Sequence, residues 1–236
     1  MGRVMKLAVM QPYFFPYLGY FQLLHAVDLF VIYDDVNFIK GGWINRNFIL
    51  MNGRAQRITV PLAGASSFKT IAATRLVADR LWREKLLKTL RQAYSKAPHF
   101  NQVYALAEGV ILSRCSSLAE LALGSLRAVA DYLLLTAEIR PSASYYANQS
   151  LKGQTRILDI CRRESADAYY NLPGGEVLYD RSAFSAAGVN LRFVFPGEPH
   201  YRQFGYPFVP RLSILDVLMF NPPETVHRFL ANCEIA

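Results

Sequence analysis

The chain of 236 residues is 52% hydrophobic and 19% charged, and its 26 Lys and Arg against 18 Asp and Glu leave a formal net charge of +8 at neutral pH. A chain this long buries roughly 70–75% of its unfolded surface, and the composition excludes disordered, low-complexity and disulfide-scaffold classes. The positive balance favours anionic partners such as nucleotide sugars, phospholipid-linked sugars or tRNA, so it constrains the partner's sign and not its identity.

Leu7-Ala8-Val9-Met10 is a short apolar run of the kind that forms a buried strand. Gln11-Pro12-Tyr13-Phe14-Phe15-Pro16 follows, and its two prolines bar strand and helix alike, which leaves an irregular aromatic loop at the strand end. Leu18, Phe21, Leu24 and His25 then fall at helical spacing, and Leu29-Phe30-Val31-Ile32-Tyr33 reads as a second buried strand running into Asp34-Asp35. Together these make one βαβ unit, and in parallel sheets ligands sit outside the carboxyl ends of the strands. Both chemically loaded loops, 11–16 and 34–47, leave on that side, where the active site is expected.

Phe48 to Leu62 reads as a β-hairpin around Asn52-Gly53, two residues that tolerate positive φ, and it is expected to extend the sheet at an edge. A polar loop, Gly64 to Lys69, comes next. Residues 79–135 have a helical pattern: Asp79 caps a first helix, Pro98 ends it, Phe100 to Ser113 forms a second, and Ser117 with Glu120 fits a capping box for a third through Leu134. The βα rhythm resumes with a strand at Ile139, a helix over Thr155 to Glu164, a strand at Ala168-Tyr169-Tyr170, a helix from Arg181 to Ala187 capped by Asp180, and a strand over Val189 to Val194. A loop rich in Pro, Gly and aromatics, Pro196 to Pro210, precedes helices at Ser213 to Phe220 and Pro223 to Asn232. The reading is an α/β fold with a Rossmann-like open, mostly parallel sheet, a β-hairpin edge and a mostly helical insertion. Residues 1–78 hold the βαβ unit and hairpin, 79–136 the insertion, and 137–236 the half that completes the same domain.

The candidate site is assembled from these loops. Asp35 is chosen over Asp34 as the functional carboxylate, because successive side chains of a persisting strand point opposite ways. Lys40, Trp43, Arg46 and Asn47 combine a point charge, a face on which a sugar or base could stack, a planar fork for a diphosphate or carboxylate, and an amide. Gln11, Tyr13, Tyr17 and Tyr20 offer an amide and hydroxyls to polar sugar groups, and Gly19 lets the backbone approach a ligand or a neighbouring strand. Gly174 and Gly175 follow a strand of the second half and open on the same side. His200, in a polar loop after the last strand, is the second candidate base. The six basic residues between Arg80 and Lys96 interleave with apolar ones as in an amphipathic helix. Cys115, Cys161 and Cys233 are odd in number and lack ligand spacing, pointing to reduced thiols and no metal site. No apolar run reaches the roughly 18 residues of a membrane span and residues 1–10 lack signal-peptide architecture, so a cytoplasmic location is expected.

The run from Gln11 to Asn47, with Gln154-Thr155-Arg156-Ile157, Asp167-Ala168-Tyr169-Tyr170-Asn171, His200-Tyr201-Arg202-Gln203 and Leu212-Ser213-Ile214-Leu215-Asp216 after it, resembles the WbqC-like protein family. That resemblance spans nearly the whole chain. It implies a bacterial protein encoded among genes for O-antigen and other surface polysaccharides, hence a transferase acting on a nucleotide-activated or lipid-linked sugar. Residue chemistry adds acyl or aminoacyl transfer to a sugar amine, with Asp35 or His200 as base and Lys40 and Arg46 on anionic groups. Tyr17-Leu18-Gly19-Tyr20 is similar in position to the His-x-Gly-His motif of nucleotidylyltransferases and pantothenate synthetases, though both histidines are tyrosine here. This keeps adenylate formation or nucleotidyl transfer with ATP and magnesium open, beside a noncatalytic RNA- or partner-binding role. No cofactor is indicated, and an acyl donor stays as open as ATP.

Overall fold

The computed structural model describes residues 4–205 and 207–236. Residues 1–3 of the opening decapeptide and residue 206 of the 196–210 loop lie outside the described residues. The chain runs β1 (Lys6–Met10), α1 (Leu18–Ala26), β2 (Leu29–Ile32), β3 (Arg46–Met51), β4 (Arg54–Thr59), β5 (Leu62–Ala63), β6 (Arg75–Leu76), α2 (Leu81–Tyr94), α3 (Phe100–Ile111), α4 (Leu118–Tyr132) and β7 (Glu138–Arg140). It continues through α5 (Gly153–Arg163), β8 (Ala168–Asn171), α6 (Arg181–Ala186), β9 (Asn190–Pro196), α7 (Ile214–Phe220), α8 (Pro223–Ala231) and β10 (Cys233–Ile235), with 3-10 helices at Ala143–Tyr146 and Pro173–Leu178.

Six strands form the main sheet in the order β10-β9-β8-β1-β2-β7. Every neighbouring pair is parallel except β9 with β10, which pairs antiparallel at the edge. The chain builds outward from β1 through β2 to β7 and then crosses back to place β8 on the other flank. The switch in direction thus falls between β1 and β8, where an open α/β sheet leaves a crevice at the carboxyl ends of its strands.

Alternation along the strands divides the core into two layers. Leu7 and Val9 pack with Leu29, Val31, Tyr169 and Phe193 against Ile157 and Ile160 of α5 and Phe184 of α6. Ala8, Phe30, Ile32, Tyr170 and Val194 face the other way, where α1, α8 and the helices α2 to α4 share one continuous apolar cluster with them. The helices of the central stretch follow the local signals. Asp79 accepts from Leu81 N at 2.8 Å, and Ser117 and Glu120 complete a capping box on α4. Arg83 of the basic helix points inward and donates to the Ile111 and Cys115 carbonyls at the end of α3, so part of that basic face is spent inside the fold.

One expectation is corrected. The hairpin forms, with Asn52 at φ 51° and Gly53 at φ 73° in the mirror-image turn that matches strand twist. However, β3 and β4 pair only with each other and do not extend the main sheet. The reason lies in β3, where Asn47, Ile49 and Leu50 are buried and the strand packs against the 11–16 loop and α2, while β4 leaves most of its residues exposed.

The hairpin, α4 and α7 all converge on Phe15, a buried residue with φ 40°, where a bulky side chain is strained. Its N–H donates to Ser125 Oγ at 3.0 Å, and its carbonyl accepts from Asn47 Nδ2 at 2.5 Å and Ser213 Oγ at 2.8 Å. Phe14 N donates to Ile44 O and Ile214 N to Pro16 O, so the whole loop is clamped. Asn47→Ala removes one of the two donors to a buried carbonyl and is expected to cost about 1–3 kcal/mol in urea unfolding. A loss under about 0.5 kcal/mol would show that the clamp does not hold the loop.

Candidate functional site

The carboxyl end of β2 carries Tyr33, Asp34 and Asp35 into the crevice side of the sheet. Asp34 is buried and accepts from Ser142 Oγ at 2.6 Å. Burial raises its carboxyl pKa, the Ser142 hydrogen bond opposes this, and the Asp35 charge adds to the rise. Asp35 accepts from Arg156 Nη2 at 2.6 Å, in an ion pair whose side chains are 11% and 3% exposed respectively. Arg156 sits in the first turn of α5, and its guanidinium lies 4.9 Å over the Tyr33 ring. Its Nε donates to Asn148 Oδ1 at 2.9 Å, while Asn148 Nδ2 donates to Asp159 Oδ2 at 2.8 Å. Asp35 Oδ1 is buried and has no hydrogen-bond partner among the described residues. A carboxylate with one oxygen fixed by Arg and the other buried and unpartnered is poised to accept a hydrogen bond.

Across the switch point, β8 ends in Asn171, whose Oδ1 caps Leu172 N at 2.7 Å and whose Nδ2 donates to the Tyr169 and Tyr179 hydroxyls at 3.2 Å. Gly175 lies buried beneath this amide, with space for a Cβ only 2.9 Å from Asn171 Nδ2, so its lack of a side chain serves that contact. Gly174 has open space in place of its missing side chain.

The tyrosines of the first loop form a second polar group. Tyr20 is fully buried and donates to Gln11 O at 2.8 Å, and its ring centre lies 5.6 Å from that of Tyr13. Burial raises the pKa of Tyr13, Tyr17 and Tyr20, and mutual proximity adds to the rise for the last two. All three therefore remain hydrogen-bond donors at neutral pH. The hydroxyls of Tyr13 and Tyr17 have no hydrogen-bond partner among the described residues. Gly19 meets a neighbouring strand, because a Cβ there would come within 2.7 Å of Pro196 at the end of β9.

The remaining candidates are apart from these groups. Lys40 and Arg46 line a shallow depression of about 290 Å³ with Pro61, Leu62 and Ala65, and Arg46 Nε donates to Gly42 O. Trp43 packs against Phe48 at 5.8 Å. Asn47 is committed to Phe15 and to its own chain neighbour Phe48. No hydrogen bond or ion pair among the described residues joins Lys40, Trp43 or Arg46 to Asp35. His200 is exposed and its ring lies 4.0 Å from that of Phe208. The adjacent Tyr201 and Gln203 turn inward instead, donating with Tyr94 to the fully buried Asp216 at 2.7–2.8 Å.

Arg156, Asn148, Tyr33 and Asn171 were absent from the set expected from sequence. Arg156 carried a signal: it lies four residues before Ile160 on the inward stripe of an amphipathic helix, where a charge needs a buried partner. Asn148 carried none.

Asp34 yields a pH test. Its folded pKa lies above the unfolded value of about 4, so its contribution to stability is complete below that pH and is lost as pH rises through the folded value. Asp34→Asn keeps the acceptor for Ser142 and never ionises. As pH rises above about 4 the wild type is expected to lose stability relative to this variant, and a difference that stays flat or reverses would contradict the buried, raised carboxyl.

Comparison with known proteins identifies the family. A Mycobacterium tuberculosis protein, "Uncharacterized protein Rv1507c", is 30% identical over 231 residues, covering 97% of this chain and 98% of its own. No solved structure matches significantly. Residues 11–228, which hold every group described above, match the WbqC-like protein family, and the chain belongs to that family.

Proposed function

We propose that the chain is a transferase of bacterial surface-polysaccharide assembly that moves an acyl or aminoacyl group onto an amino sugar carried by a nucleotide or lipid. The observation that carries this reading is the Asp35–Arg156 pair beside the switch point, with a buried carboxylate oxygen left unpartnered. In this mechanism Asp35 Oδ1 takes the proton of the sugar amine as its nitrogen attacks the acyl carbonyl, and the bond to the donor's leaving group breaks. Arg156 holds the carboxylate oriented. The Tyr13 and Tyr17 hydroxyls donate to sugar oxygens, and Lys40, on the loop leaving β2, and Arg46, at the start of β3, take the anionic carrier in their own depression. His200 is the alternative base, exposed on the 196–210 loop with no carboxylate bonded to its ring among the described residues. The adenylyl reading is less well supported, since Tyr20 is spent on Gln11 and Pro196 fills the space beside Gly19.

A thermal-shift screen against nucleotide sugars, ATP with and without magnesium, coenzyme A and bulk tRNA tests the proposal. At 100 times the dissociation constant a true ligand stabilises by about 2.7 kcal/mol, or roughly 5–10 °C here. The expected result is a shift with one nucleotide sugar, and Asp35→Asn should then lower turnover by about 10²–10⁴-fold. A shift confined to ATP with magnesium, or to tRNA, would overturn the proposal.

A further inference from the structure

The stretch between the first strand pair and the helices holds an uneven share of the charge. From Val36 to Ala78 there are six cations, Lys40, Arg46, Arg54, Arg57, Lys69 and Arg75, and no Asp or Glu. This stretch therefore supplies six of the eight net positive charges. The cations are too widely spaced to read as a basic run, and the fold sets Lys40, Lys69 and Arg57 next to exposed apolar side chains. Asn37 pairs antiparallel with Thr70, and Phe38 N donates to Lys69 O at 2.8 Å, which brings Ile39 and Phe68 to the same open end of a two-stranded ribbon. Ile39 is 54% exposed and Phe68 92%. Trp43, 53% exposed, follows the turn that Gly42 N closes on Ile39 O at 3.2 Å. It rests on Phe48, and Arg57 stands opposite Phe48 in the hairpin. Lys40 and Lys69 flank the apolar tips, while Arg54 and Arg57 stand exposed along β4.

We propose that this module is a peripheral docking surface for an anionic lipid bilayer. Exposed Trp, Phe and Ile side chains enter the headgroup region, where amphipathic and aromatic groups are favoured, and neighbouring Lys and Arg stay with the anionic headgroups. Among the described residues no helix is long and apolar enough to cross a membrane. Single-stranded RNA is the competing polyanion, but its bases stack on flat rings, and the aliphatic Ile39 exposed beside Phe68 suits a headgroup region better than a base. The inference does not rest on the transferase reading.

The test is co-sedimentation of the full chain with vesicles of phosphatidylcholine alone or mixed with phosphatidylglycerol, at low and high salt, beside retention on poly-uridine RNA. Binding is expected to the mixed vesicles, to weaken with salt and to be absent from phosphatidylcholine alone. Trp43→Ser with Phe68→Ser, and separately Arg54→Glu with Arg57→Glu, should each weaken it at least about 10-fold without changing the melting temperature. Lys85→Glu with Lys88→Glu on α2 should leave it unchanged. Equal binding to neutral vesicles, indifference to either double variant, or retention on RNA without vesicle binding would overturn the proposal.

Discussion

The backbone of Phe15 is the point on which the architecture depends. It has a left-handed φ that its side chain disfavours, and side chains from three distant segments, Ser125, Asn47 and Ser213, satisfy its N–H and carbonyl. A strained residue persists only where its surroundings over-determine it. Here those surroundings are the helical stretch, the hairpin and the start of α7, so the loop leaving β1 fixes all three relative to the sheet. The same clamp sets the path of residues 11–17, and with it the positions of Tyr13 and Tyr17 beside the strand ends. Structure and candidate site share one constraint.

Away from that hub, two carboxylates, one fully buried and one half-buried, illustrate different uses of the same group. Asp216 accepts from Tyr94, Tyr201 and Gln203, so both its oxygens are partnered, and it ties the 196–210 loop to α2 and α7. Its pKa is raised by burial, with those hydrogen bonds acting against the rise. Asp35 is also withdrawn from water, yet one oxygen has no partner. Burying a charge pair seldom gains stability over apolar side chains of similar volume. An incompletely satisfied pair at the mouth of a parallel sheet is therefore better explained by ligand chemistry than by folding.

Much of the fold was legible because it is written in local rules. The apolar runs at 7–10 and 29–33, the Asn52-Gly53 turn, the Ser117–Glu120 capping box and the helical spacing at 155–164 all appear where the pattern places them. β10 was not foreseen, since three residues at a chain end carry no period, and neither was the hairpin's separation from the sheet, which depends on what β3 packs against. At the site, the emphasis on Asp35 and the first-loop tyrosines came from their place after a strand. What sequence could not supply was the partner of each group. Asn47 reads as an available amide until Phe15 is seen to use it, and Asn148 reads as ordinary until Arg156 is found on it. Long-range pairing of this kind has no local signal.

The central claim is that the Asp35–Arg156 pair is retained for a ligand and not for stability. Its most direct test replaces both at once, Asp35→Leu with Arg156→Met, and measures urea unfolding together with the thermal shift from whichever nucleotide sugar stabilises the wild type. The account predicts stability equal to the wild type or up to about 1–4 kcal/mol above it, with the ligand shift abolished. A double variant that is markedly less stable and still shifts with the ligand would contradict it, and would make the pair a structural tie between β2 and α5.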